Sequence, residues 1–201
     1  MKKWTMQSLL VALFFYGFTS VSAQVRHVEN SIFTVDYDES LEQPIKLSYT
    51  VQCPTGGADR HGLNFWKVEG YHTSDNDDYA DNVWDKGHLA PAAAFNCTRD
   101  MVKATFSYLN CALQHQSLNR GPWKELEAVE RNLAMFYTVD VEIEVIFDET
   151  CEVLPTGATV PKAFIKTITF DGKSYQYYFP NRDPKGADWY TFGTEGNPVK
   201  E

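Results

Sequence analysis

A charged pair, a glycine and a histidine stand together at Asp85-Lys86-Gly87-His88, inside the stretch WDKGHLAPAAAF from Trp84 to Phe95. An imidazole, with an unperturbed pKa of ~6.5, can accept a proton near neutral pH. Gly87 permits a backbone geometry or close approach that a side chain would forbid, which suits a histidine held at the end of a strand. Alone, a histidine beside a turn reads as readily as a structural residue. A second stretch, TFSYLNCALQHQSLNRGPWKELE from Thr105 to Glu127, supplies Asn110, Asn119 and Glu127. Asn119 stands just before a helical pattern, where its side-chain oxygen can cap the helix or bind a hard cation. Glu127 follows about two turns later, at ~3.6 residues per turn, and can face the same region or solvent. The chemistry open to this set is proton abstraction by an imidazole beside an oxygen-bound cation.

The order and gaps of DKGHLAPAAAF, TFSYLN, LQ and LNRGPWKELE resemble those of the DNA/RNA non-specific endonuclease family, sugar-non-specific nucleases with a ββα-metal (His-Me finger) active site. The family pattern is Asp-Arg-Gly-His-x-Ala-Pro, then an Asn, a Pro-Gln pair, and Asn-x-Gly-x-Trp-x-x-Leu-Glu. The match runs from about Ile45 to Tyr178. It implies His88 as general base, Asn119 as the sole protein ligand to a Mg²⁺ ion, and Glu127 as the glutamate that holds water around that ion. Asn110 matches an asparagine that organises the site, and Asp85 belongs to its supporting shell. Arg60, in GGADRHGLNFW, is the candidate for an upstream arginine that contacts phosphate.

Two departures stand out. Lys86 replaces the motif arginine, keeping the charge for phosphate binding but losing the planar fork. Leu113 replaces the proline before Gln114, so the turn there is expected to differ. The implied activity is hydrolysis of DNA and RNA phosphodiesters with little sequence preference, leaving 5′-phosphate ends, with Mg²⁺ as cofactor and Mn²⁺ as substitute. One neutral oxygen ligand would leave Mg²⁺ most of its positions for water and phosphate oxygens. A catalytically silent nuclease-like binding domain and a small-nucleotide phosphodiesterase are the alternatives.

The elements that must position these residues are partly legible. IKLSYTVQC, Ile45 to Cys53, alternates as a strand does, and Gly56-Gly57 marks a turn after it. TSDNDDYAD, Thr73 to Asp81, reads as a solvated acidic loop, because it lacks the glycine and closing glutamate of a calcium loop. A short strand is expected near TFSYL. PWKELEAVERNLAMFY spaces Trp123, Leu126, Val129, Leu133 and Phe136 on one helical face, with Pro122 in a first turn. TVDVEIEVIF alternates with period two, and AFIKTITF and SYQYYFP flank Asp171-Gly172-Lys173 as a hairpin. The expected class is α+β: mainly antiparallel β-sheet carrying, by resemblance, a ββα-metal motif with flanking helices.

The first residues join two lysines to an apolar run, Leu9 to Phe18, and end in Val21-Ser22-Ala23, the layout of a secretory signal over residues 1–23, with one nuclease domain over 24–201. The destination is outside the cell or the periplasm, with no membrane attachment after cleavage. All four cysteines, Cys53, Cys97, Cys111 and Cys151, lie in the exported part, where an even number points to two disulfides of undetermined pairing. Asn96-Cys97-Thr98 is a glycosylation acceptor if the host modifies such sites. Loss of Lys2 and Lys3 from the 18 basic residues leaves 16 against 27 acidic ones, formally −11. Long-range attraction to a polyanion is therefore not a property of the whole molecule, and DNA or RNA would have to meet a local cationic cleft, with Arg99 and Arg120 as further contributors.

Overall fold

Eight strands, β1 (Val25–Glu29), β2 (Thr34–Asp38), β3 (Gln43–Thr50), β4 (Trp84–His88), β5 (Cys111–His115), β6 (Asp140–Ile146), β7 (Ala163–Phe170) and β8 (Lys173–Pro180), build two antiparallel sheets in the computed structural model, which describes residues 25–194. The larger sheet has the order β1-β2-β3-β6-β7-β8, and β4-β5 form a separate pair. The helices are α1 (Arg99–Thr105), a single turn α2 (Gln116–Leu118) and α3 (Lys124–Leu133). This is the expected α+β class. The leader expected over residues 1–23 lies outside the described residues.

Alternation decides which face of the large sheet is covered. Along β6, Val141, Ile143 and Val145 are buried while Asp140 and Glu144 face water. They join Leu47 and Tyr49 of β3 and Phe164 and Ile168 of β7 in one core with Trp123 and Leu126 of the helical segment. Burial of such side chains stabilises by about 1.5–3 kcal/mol each, so α3 is held by its apolar stripe rather than by propensity. The stripe ends sooner than its spacing suggests: Phe136 lies beyond α3 and is 79% exposed. β7 and β8 turn through Asp171 and Gly172, both at positive φ (49° and 70°), the two-residue hairpin geometry.

Three expectations fail for local physical reasons. No strand forms at TFSYL: Thr98 caps α1 by accepting from Met101 N at 3.3 Å, and the chain then makes a 3₁₀ turn, Tyr108–Asn110, before β5 begins. The acidic loop is not wholly solvated, since Thr73, Ser74 and Asp78 are buried and Asp78 accepts from Asp75 N at 2.6 Å. Only one disulfide is present among the described residues, Cys53–Cys97, because Cys111 is buried beneath Tyr79 and Cys151 sits against Asp148.

Candidate active site

β4 and β5 pair with His88 opposite Cys111, Gly87 opposite Ala112 and Asp85 opposite Gln114. A Cβ on Gly87 would stand 2.5 Å from Gln114 Oε1 and 2.6 Å from Gln114 Cβ, so glycine is what lets the strands close beside the histidine. From β5 the chain passes through α2 and a π-type turn, Asn119–Trp123, which leaves helical geometry at Gly121 (φ −105°, ψ −117°), and enters α3. Two strands and a helix thus carry His88, Asn119 and Glu127 as one unit.

Asn110 is buried and fully used. Its Oδ1 accepts from Ala90 N at 2.7 Å, and its Nδ2 donates to Ala90 O at 2.9 Å and Thr105 O at 2.8 Å. It pins the segment that follows His88, which is an organising role rather than a ligand's. Asp85 does the same for the helix side. It accepts from Asn119 Nδ2 at 2.9 Å and from Arg120 Nε at 2.8 Å and Nη2 at 2.6 Å. Burial opposes its ionisation, but these donors outweigh it and hold the carboxyl below its usual range. An ionised carboxylate can only accept, so Asn119 must turn Nδ2 toward it, and Oδ1 faces away without a partner among the described residues.

The His88 ring packs against both Phe65 and Phe106, with centroids at 4.6 and 4.8 Å. Its Nε2 is buried without a hydrogen-bond partner. Burial, reinforced by the positive charge of Arg60, lowers the imidazole to about 4, so it is neutral at physiological pH. Glu127 is moved the other way, to about 7, by burial, with Glu130 adding repulsion against the pull of Lys166 and Arg131. The Trp123 indole N–H, one turn earlier, helps the ionised form but makes no hydrogen bond of regular geometry.

These features fit a hard cation. Asn119 offers a carboxamide oxygen without a partner among the described residues, Glu127 about two turns further on is a carboxylate raised by burial, and the described residues hold no cluster of three or more His, Cys, Asp or Glu side chains suited to a metal. A cation here would be held by one neutral oxygen and by water, which Mg²⁺ tolerates better than most ions.

The sequence-predicted phosphate contacts divide. Arg60 lines an open groove of about 560 Å³ together with Ala92, Ala93, Val102 and Lys124, and its charge reaches His88. Lys86 is drawn away: its amino group donates to Asn76 Oδ1 and lies 5.5 Å from the ring centroids of both Tyr79 and Tyr108. Arg99 ties the Arg60 loop down by donating to the carbonyls of Asp59 and His61, each at 3.0 Å. Leu113 is explained by its N–H, which donates to Gln43 Oε1 at 3.0 Å, a bond proline cannot make. At the sequon, Asn96 Nδ2 donates to Gly56 O at 2.9 Å, so that nitrogen already holds the loop. The rings around His88 and the groove lysine, Lys124, escaped sequence reasoning. Nothing in their local pattern marks them, because loops distant in sequence bring them to the site.

Comparison with known proteins finds nuclease relatives and a shared fold. The chain is 35% identical over 85 residues to human mitochondrial Endonuclease G, covering 41% of this chain and 29% of that protein. It is 26% identical over 121 residues to the zebrafish (Danio rerio) mitochondrial nuclease EXOG, covering 59% and 35%. A salivary endonuclease of Lutzomyia longipalpis is 37% identical over 62 residues, covering 31% and 15%. The matched stretch therefore spans about a third or less of the length of these curated relatives. An Endonuclease G solved in complex with the inhibitor EndoGI superposes with a TM-score of 0.75 at 25% identity, over 84% of this chain and 79% of that one. The family model for the DNA/RNA non-specific endonucleases matches residues 12–196, nearly the whole chain, and the protein belongs to that family.

Proposed function

We propose that the protein is an exported nuclease that hydrolyses phosphodiester bonds of DNA and RNA with little sequence preference, using His88 as general base and Mg²⁺ as cofactor. One observation carries this reading: a single ββα unit holds a neutral imidazole and a carboxamide oxygen with no partner among the described residues, while Arg60, whose charge reaches the imidazole, lines an open groove. Membership in a metal-dependent nuclease family supports the reaction class. The disulfide Cys53–Cys97 and the salivary relative support export, with residues 1–23 as the leader and 24–201 as the working domain.

Each residue has a task that its surroundings suit. His88, neutral at working pH, takes the proton of an attacking water. Asn119 Oδ1 would hold the cation, with Glu127 ordering water around it, and Asp85 and Arg120 fix the carboxamide's direction. When bound, Mg²⁺ supplies charge stabilisation for the phosphoryl and departing 3′ oxygens. Arg60 draws the phosphate toward the groove and discourages protonation of His88. Asn110 keeps the chain after His88 from shifting.

The test is cleavage of plasmid DNA and of RNA by the purified exported chain. Hydrolysis should require Mg²⁺ or Mn²⁺ and stop in chelator, and His88→Ala should lose at least ~10²-fold in rate. Cleavage that continues unchanged in chelator, or in His88→Ala, would remove the reading.

A further inference from the structure

Lys124 opens α3 three residues before Glu127, so the two side chains neighbour each other on one helical surface. It faces the groove that Arg60 lines from the opposite loop. Neither cation has an ion pair or hydrogen bond with another described residue. Asp59 shares the groove, but its carboxylate lies 3.8 Å from Arg99. The other cations near the site are engaged: Arg120 by Asp85, and Lys86 by Asn76 and two tyrosine rings. In a chain with 27 acidic and 18 basic residues, two cations that line one groove without an ion pair to another described residue describe a place for an anion.

We infer that Lys124 is a substrate-binding residue which, with Arg60, grips a backbone phosphate flanking the scissile bond. It takes over the charge that the motif position, now Lys86, has carried away from the groove. The inference rests on the nuclease reading and specifies its substrate as a polymer with a phosphate beside the one attacked. An ammonium contacts phosphate without reading bases, so the grip is independent of sequence.

Binding separates this claim from catalysis. With His88→Ala protein in chelator, fluorescence anisotropy of a short labelled duplex DNA is followed across a salt series. Lys124→Ala should weaken binding about 5- to 10-fold and lower the slope of log affinity against log salt by about 0.9, the effect of one lost phosphate contact. Lys124→Arg should recover most of both, and Lys173→Ala, at the start of β8, should change neither. In the active protein, the loss from Lys124→Ala should fall on KM rather than kcat. Unchanged affinity and slope in Lys124→Ala, where Arg60→Ala loses both, would overturn the assignment and leave the nuclease reading intact. A protein that binds DNA with the Lys124-dependent slope but cuts nothing in Mg²⁺ would instead sink the nuclease reading and keep the grip.

Discussion

His88 and Glu127 are displaced in opposite directions by the same cause, loss of water, and this fixes how each shapes the pH response. The imidazole is lowered from its ordinary value of 6.5 to about 4, so the folded state binds fewer protons than the unfolded chain between those values. Stability is then complete above about 6.5 and falls as pH drops toward 4. Melting curves across this interval should be flatter in His88→Ala than in the unsubstituted protein. The Glu127 carboxyl is raised to about 7, so its contribution is complete below about 4.5 and lost as pH rises through 7. In chelator, Glu127→Gln should gain about 1–2 kcal/mol at pH 8 and almost nothing at pH 4.5, read by denaturant unfolding. An equal gain at both pH values would mean that the carboxylate's charge is not what the fold resists. If Glu127 orders water around a cation as proposed, activity in Mg²⁺ should fall in the same variant.

Within the elements, α3 is fastened to the sheet by a polar contact as well as by its apolar stripe. Lys166 of β7 and Glu130 of α3 are both fully buried and paired at 2.8 Å. Tyr49 of β3 donates to the same carboxylate at 2.5 Å, and the Lys166 ammonium lies 4.0 Å from the Trp123 ring centroid. Three elements therefore converge one turn from Glu127. Removing one partner of such a pair strands the other charge without water, so Lys166→Met should cost about 3–5 kcal/mol in denaturant unfolding. The double variant Lys166→Met with Glu130→Leu should recover much of that loss. The second fastening is on the Arg60 side. Cys53–Cys97 joins the end of the β3 segment to the chain after His88, and Ala58 N donates to Asn96 O at 2.8 Å nearby.

For the whole molecule, an acidic composition is compatible with the proposed nucleic-acid substrate through the placement of a few cations. Arg60 and Lys124 line one groove, and the acidic residue that shares it, Asp59, lies 3.8 Å from Arg99. Redox behaviour follows from placement too. The Cys111 thiol is buried and pushed up to about 12, chiefly by desolvation, whereas Cys151 is half-buried. Titration with a thiol reagent should label Cys151 first and Cys111 only on unfolding, and intact-mass measurement after alkylation should count one disulfide. Two disulfides in the native protein would contradict this packing. Reducing Cys53–Cys97 should lower stability by about 2–4 kcal/mol and loosen the loop that carries Arg60, weakening DNA binding before it affects unfolding cooperativity.

The sequence by itself determined what period and local chemistry can express. The alternation of β6, the hairpin at Asp171-Gly172 and the stripe of α3 are short-range patterns, each readable because neighbours in the chain obey one geometry, whereas His88, Asn110, Asn119 and Glu127 stood out only through the resemblance of two separated motifs to a known family. Tertiary structure alone decided the rest. Lys166 and Glu130 look like surface residues until two distant elements bury them together. Lys86 looks like a phosphate contact until Asn76 and the tyrosines claim it, and Lys124 looks like helix polarity until a loop more than sixty residues earlier sets Arg60 across from it. Charge and burial are properties of surroundings, and those surroundings exist only once the chain has closed on itself.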